Sequence, residues 1–201
     1  PTYMSHDREY YHVRTQLADG RQSIIIDPGS VGNLCGDRWA KAVAQEAARN
    51  GYTPSYERRD RPLSVSGVGH GSQKAPYNCQ LPIALQPLAG KRPVIGSVKI
   101  PAVTDSDLPG LLGLVSLMKN RAVLDFNTLT LYFLGPGDYK LEEALPPGTD
   151  SFKCEQAPSG HLVLPCCSFK KDEKPREDEQ PLTLLARSAP PGLGTGSSCY
   201  Q

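Results

Sequence analysis

The sequence predicts a mainly β, all-β-type fold carrying one or two short helices, on three observations. Proline and glycine each contribute 19 of the 201 residues, well above ordinary usage, so turns recur at short intervals. The segments between those turns alternate apolar with polar residues or carry β-branched runs, as strands do. A hydrophobic content of 38% over this length suffices for one core, and two full domains would be cramped.

Taken in order, residues 10–17 alternate loosely, 18–21 make a turn centred on Asp19-Gly20, and 22–27 carry Ile24, Ile25 and Ile26. This predicts a hairpin whose second strand is buried. Asp27-Pro28-Gly29-Ser30-Val31-Gly32 then breaks the strand. Residues 37–50 read as a helix, with Asp37 as N-cap, Trp39, Val43 and Ala47 on one face, and Gly51 as the stop. The charged residues 58–61 suit a surface turn. Residues 63–85 predict two strands around the cluster Gly67-Val68-Gly69-His70-Gly71, whose glycines suit a flexible tip.

Residues 92–103 predict a further strand with Val94, Gly96, Val98 and Ile100 on one face and Pro101 ending it. Leu108-Pro109-Gly110-Leu111-Leu112-Gly113-Leu114 leads into a short helix over 115–119. Strands over 122–126 and 129–133 then flank a turn at Asn127-Thr128. The expected organisation is an N-terminal extension (1–9), one domain (10–141), and an extension over 142–169 that can add a strand at 162–164. A polar, Pro/Gly/Ser-rich tail (170–201) is expected to be disordered.

The charges balance, 22 basic against 21 acidic residues for a net +1, which gives no long-range attraction to nucleic acid or anionic lipid. No apolar run approaches the roughly 20 residues that span a bilayer. A soluble chain, cut from a longer polypeptide, is expected. The six cysteines are scattered and accompany no secretion signal, so reduced thiols in a cytoplasmic, intracellular setting are expected.

On its own, an aspartate before Pro-Gly is an ordinary turn former. Asp27, however, ends a β-branched strand, a glycine-rich hairpin follows about 40 residues later, and Leu111-Leu112-Gly113 then precedes a short helix and a closing hairpin. In that order and spacing, residues 10–141 resemble the retropepsin-like aspartic proteases of retroviruses and long-terminal-repeat retrotransposons. The resemblance implies an acid-protease barrel that is active as a symmetric homodimer. It implies Asp27 as the catalytic carboxylate, Pro28, Gly29 and Ser30 as the active-site loop, and Gly67, Val68, Gly69, His70 and Gly71 as a flap over a peptide or polyprotein substrate. Leu112 and Gly113 would support the loop from behind.

Carboxylate-catalysed peptide hydrolysis needs two carboxyl groups sharing one water, one ionised and one protonated. One chain supplies one such turn, so two chains would build the site. The family has Thr or Ser where Pro28 stands; in relatives that residue's hydroxyl and N–H lock the two loops together, and proline has neither. A peptide-binding or dimerising module with weak or no activity is the alternative. His161 and Cys166 are spaced like half of a zinc knuckle, but the Cys-x-x-Cys half is missing. Cys154, His161, Cys166 and Cys167 are therefore not expected to hold a metal, and no cofactor is expected. The glycine cluster lacks the strand-to-helix setting of a phosphate-binding turn, and no Ser-His-Asp set is defensible.

Overall fold

The computed structural model describes residues 15–65, 72–88, 92–147, 149 and 151–166. The predicted strand over 10–17 lies mostly outside them, as do the cluster 67–71 and the tail 170–201. The described part is mainly β. Its strands are β1 (Ile24–Asp27), β2 (Cys35–Gly36), β3 (Ser55–Val65), β4 (Gln73–Leu85), β5 (Val94–Val103), β6 (Gly110–Gly113), β7 (Ala122–Asp125), β8 (Thr130–Phe133), β9 (Glu155–Gln156) and β10 (Leu162–Val163). Two α-helices, α1 (Asp37–Arg49) and α2 (Leu114–Lys119), and one short 3-10 helix, Leu141–Ala144, interrupt them. The strands form one four-stranded sheet, β2-β5-β4-β3, and three two-stranded ones, β1-β6, β7-β8 and β9-β10. No closed barrel forms among the described residues.

Most of the first strand expected in the hairpin over 10–27 lies outside the described residues, and the described partner of β1 is a distant strand. The turn is present, with Gly20 at φ 85° and its N–H donating to the carbonyl of Leu17 at 2.9 Å. β1, however, runs parallel to β6, more than 80 residues on, with Ile24 opposite Gly110 and Asp27 opposite Gly113. Nor is β1 fully buried: Ile25 remains 38% exposed. Pattern alone identifies a strand but not a partner so far along the chain.

α1 forms where its periodicity places it, burying Trp39, Ala40, Val43, Ala44 and Ala47. Its N-cap is Gly36, not Asp37. The Asp37 carboxylate instead accepts the N–H of Ser106 at 3.1 Å and pairs with Lys41 at 3.2 Å, tying the helix start to the β5–β6 connection. The buried face of α1 packs on Cys35, Cys79, Leu81, Val98, Ile100 and Ala102 of the large sheet. The Trp39 ring covers Gly110 and its indole N–H donates to the carbonyl of Ser23 at 2.9 Å, so one side chain pins both β1 and β6. A second cluster, Leu34, Ala75, Val103, Leu108 and Leu111, lies next to β6.

Two strand boundaries differ from expectation. Residues 58–61 are not a turn between elements: β3 starts at Ser55 and runs through them with a register shift between Arg58 and Leu63. The charged residues are thus absorbed in a bulge of a longer edge strand. β5 does not end at Pro101 but continues to Val103. Its neighbour β2 covers only Ala102 and Val103, so Pro101 faces a strand on one side only and its missing N–H is tolerated. Pro82 obeys the same rule, since β3 reaches no further along β4 than Gln80. The turn between β7 and β8 forms at Asn127 and Thr128 as expected, with Asp125 accepting the N–H of Asn127 at 2.8 Å.

The described residues through Pro165 belong to one unit. In it, β9 and β10 pair across a turn at Gly160, a shorter strand than the one expected over 162–164. No helix among the described residues is long and apolar enough to cross a membrane.

Candidate functional site

The site is a loop threaded around β6. The chain arrives along β1, parallel to β6, turns at residues 27–30, and leaves past Leu34 on the other side of β6, where it pairs antiparallel with Leu111. The Leu111 N–H donates to the Leu34 carbonyl at 2.7 Å, and the Leu34 N–H donates back at 3.3 Å. β6 is therefore gripped by both legs of the loop that carries Asp27. That loop also ends in contact with α2: the N–H groups of Leu114 and Val115 donate to the carbonyls of Ser30 at 2.8 Å and Val31 at 3.1 Å. The first N–H groups of a helix have no partner within it, so α2 and the loop satisfy one another.

The turn itself follows from its sequence. The Ser30 N–H closes it onto the Asp27 carbonyl at 3.1 Å, which puts Pro28 at the position where its fixed φ is an advantage and its lost N–H costs nothing locally. One carboxylate oxygen of Asp27, Oδ1, accepts the N–H groups of Gly29 at 3.0 Å and Ser30 at 3.2 Å. The other, Oδ2, makes no hydrogen bond among the described residues and is not buried. Asp27 is half-buried, while Pro28 and Gly29 are exposed. A Cβ on Gly29 would come within 3.1 Å of Oδ1, so glycine leaves the carboxylate room. The Ser30 hydroxyl donates to the Gly32 carbonyl at 2.7 Å.

Of the two residues expected behind the loop, Gly113 lies against it. A Cβ there would sit 2.2 Å from the carbonyl oxygen of Gly32, a close approach that only glycine permits. Leu112 is only half-buried, and the buried leucine of the pair is Leu111, 8% exposed. Two further residues escaped the sequence reading. Asn33 accepts the Gly113 N–H at 3.0 Å and donates to the Lys99 carbonyl at 3.1 Å, stapling the loop to both β6 and β5. Leu34 packs it into the core. An amide that must donate and accept at once is the one signal that would have marked Asn33.

The residues proposed for the flap, Gly67, Val68, Gly69, His70 and Gly71, lie outside the described residues. The strands that lead to them, β3 and β4, are paired as an antiparallel hairpin. Other chemistries find little support. Cys35 and Cys79 are buried thiols, and burial pushes both above the usual thiol range, so neither is a ready thiolate. No three His, Cys, Asp or Glu side chains converge to hold a metal among the described residues. Cys154 and Cys166 are exposed, and Cys167 lies outside the described residues. His161 bonds Ser159 across its own turn at 2.8 Å, an exposed local contact. No family model, no curated protein and no solved structure matches this chain, so a functional reading rests on the site's own geometry.

Proposed function

We propose that the chain is a retropepsin-like aspartic endopeptidase of a retroelement polyprotein, working as a homodimer in which each chain contributes one Asp27. The observation that supports this reading is the grip of the Asp27 loop on β6: two legs, the α2 N–H groups and the Gly113–Gly32 contact hold the turn, leaving Oδ2 unengaged. In the dimer, two Asp27 carboxyl groups would share one proton, because neighbouring carboxylates cannot both ionise. The ionised one takes a proton from water as that water attacks the peptide carbonyl, and the protonated one holds the carbonyl oxygen by a hydrogen bond, keeping its proton when the intermediate collapses. The proton taken from water then passes to the departing amine, giving a carboxylic acid and an amine.

Pro28 favours a second reading, a module of the same architecture that binds peptide with weak or no hydrolysis. Proline suits the local turn but offers neither hydroxyl nor N–H to a second loop. Cleavage of a peptide library between acidic and neutral pH, compared with Asp27→Asn, separates the two. The enzyme reading expects cleavage that disappears in the variant while its melting temperature holds. Cleavage surviving Asp27→Asn would sink the reading. A chain that stays strictly monomeric and inert at micromolar concentration would leave the binding module.

A further inference from the structure

Among the described residues β3 is a terminal strand of the four-stranded sheet, and alternate N–H and C=O groups along its outer side pair with no described strand. Past Arg58 that edge is interrupted: the register shift before Leu63 and the proline at 62 make it unsuited to pairing. The four residues Ser55 to Arg58 are regular, in unbroken register with Gln80 to Tyr77 of β4.

Each face of this short edge carries a depression, and the two differ in character. On the face covered by α1, Tyr56, Tyr77, Cys79, Ala40 and Ala102 line an open cavity of about 290 Å³ beside the Asp37–Lys41 pair. On the opposite face, Ser55, Glu57, Asn78, Gln80 and Lys99 line a polar one of about 170 Å³. The period of two along β3 explains the division, since Tyr56 and Arg58 point to one face and Ser55 and Glu57 to the other. Tyr56 and Tyr77 are 53% and 42% exposed, a large aromatic surface left uncovered. Arg58 is exposed and has no ion pair among the described residues, whereas Glu57 already pairs with Lys99 at 3.2 Å.

We propose that Ser55 to Arg58 is a docking edge for an extended segment of a partner polypeptide, which adds as a fifth strand with an aromatic or branched apolar residue over Tyr56 and Tyr77 and a carboxylate two positions away facing Arg58. Main-chain pairing supplies affinity without sequence demand, and the alternating pockets supply selectivity. Two residues is the spacing because the strand repeat places every second side chain on the same face. The Arg58 guanidinium, which has no ion pair among the described residues, selects an acidic partner, and the polar face admits small polar side chains between. The bulge limits the contact to about four residues, so binding is weak and suited to a supplementary hold on a partner whose main contact lies elsewhere. The surface does not include Asp27 and does not depend on the protease reading.

The test is fluorescence anisotropy with the Asp27→Asn protein, which removes any cleavage, and labelled eight-residue peptides of alternating Thr carrying Leu and Glu two positions apart. Replacing the peptide Leu by Ser is expected to weaken binding roughly tenfold, from lost apolar burial. Replacing Glu by Lys is expected to weaken it several-fold, and Arg58→Glu in the protein is expected to restore the Lys peptide while losing the Glu one. The peptide variants leave the protein untouched, so misfolding cannot imitate the result. Equal binding of all three peptides, or no binding at millimolar concentration, would overturn the proposal. So would self-association abolished by Arg58→Glu without any peptide binding, since the edge would then serve a second copy.

Discussion

Replacing Gly113 by alanine tests whether the loop is braced as described. The new Cβ would lie 2.2 Å from the Gly32 carbonyl oxygen and 2.4 Å from its carbonyl carbon, against an ordinary contact of roughly 3.5 Å. The blocking atoms are all backbone atoms of Gly32, so either β6 or the loop must move by about 1 Å. Overpacking of this kind costs about 1–3 kcal/mol, and if the shift also breaks the Gly113 N–H bond to Asn33 about 1 kcal/mol is added. The expected loss is about 2–4 kcal/mol, or a fall in melting temperature of roughly 5–15 °C for a chain of this size. Urea unfolding followed by the fluorescence of Trp39, the single tryptophan of the chain and 8% exposed, measures it directly. Gly96→Ala is the control, because a Cβ there meets nothing within 4 Å, and it is expected to stay within about 0.5 kcal/mol of the parent. Equal stability of the two variants would refute the close packing of Gly113 on Gly32.

Three further outcomes follow from the same contacts. Asn33→Ala removes an acceptor for Gly113 and a donor to Lys99 and is expected to cost about 1–3 kcal/mol, with Asn33→Asp, which keeps the acceptor, costing less in the same urea titration. Burial by itself would raise the Asp37 pKa, but the Ser106 N–H and Lys41 hold the carboxyl below its usual value. A depressed folded pKa stabilises above the unfolded value of about 3.9, and that stabilisation is lost as pH falls through the folded value. The stability gap between the parent and Asp37→Asn should therefore be constant from neutral pH to about 5 and close below about 4; a gap that widens on acidification would contradict the sign. Pro28→Thr should lower the chain's own stability by about 0.4–1 kcal/mol through a freer unfolded state. Under the proposed function it should also strengthen dimerisation in sedimentation equilibrium and raise cleavage, and unchanged self-association would remove Pro28 as the limiting defect.

The mainly β character, the helix over 37–49 and the turn at Asp27 were legible from local pattern, because strand alternation, helical spacing and Pro-Gly punctuation act over a few residues. The apolar face of α1 could be named outright, since Trp39, Val43 and Ala47 recur at helical spacing and each is buried. The resemblance placed Gly113 behind the Asp27 loop, but the atom it lies against, the Gly32 carbonyl, was not legible. Asp37 shows the limit of local reasoning. Its position suggested a cap for its own helix, and the fold uses it to hold Ser106.

What the sequence by itself determined is the set of parts: short strands, one amphipathic helix, an Asp-Pro-Gly-Ser turn, and a near balance of basic and acidic residues. Only the tertiary structure decided how they join. The parallel pairing of β1 with β6, the passage of Leu34 along the far side of β6 and the Asn33 bridge link residues about 65 to 90 positions apart. Contacts at that range leave no period in the sequence, because they are selected by which apolar faces must be buried together and which N–H groups still lack an acceptor once the local elements have formed. The Asp27 turn is local chemistry, and its rigidity comes from residues brought to it by the fold.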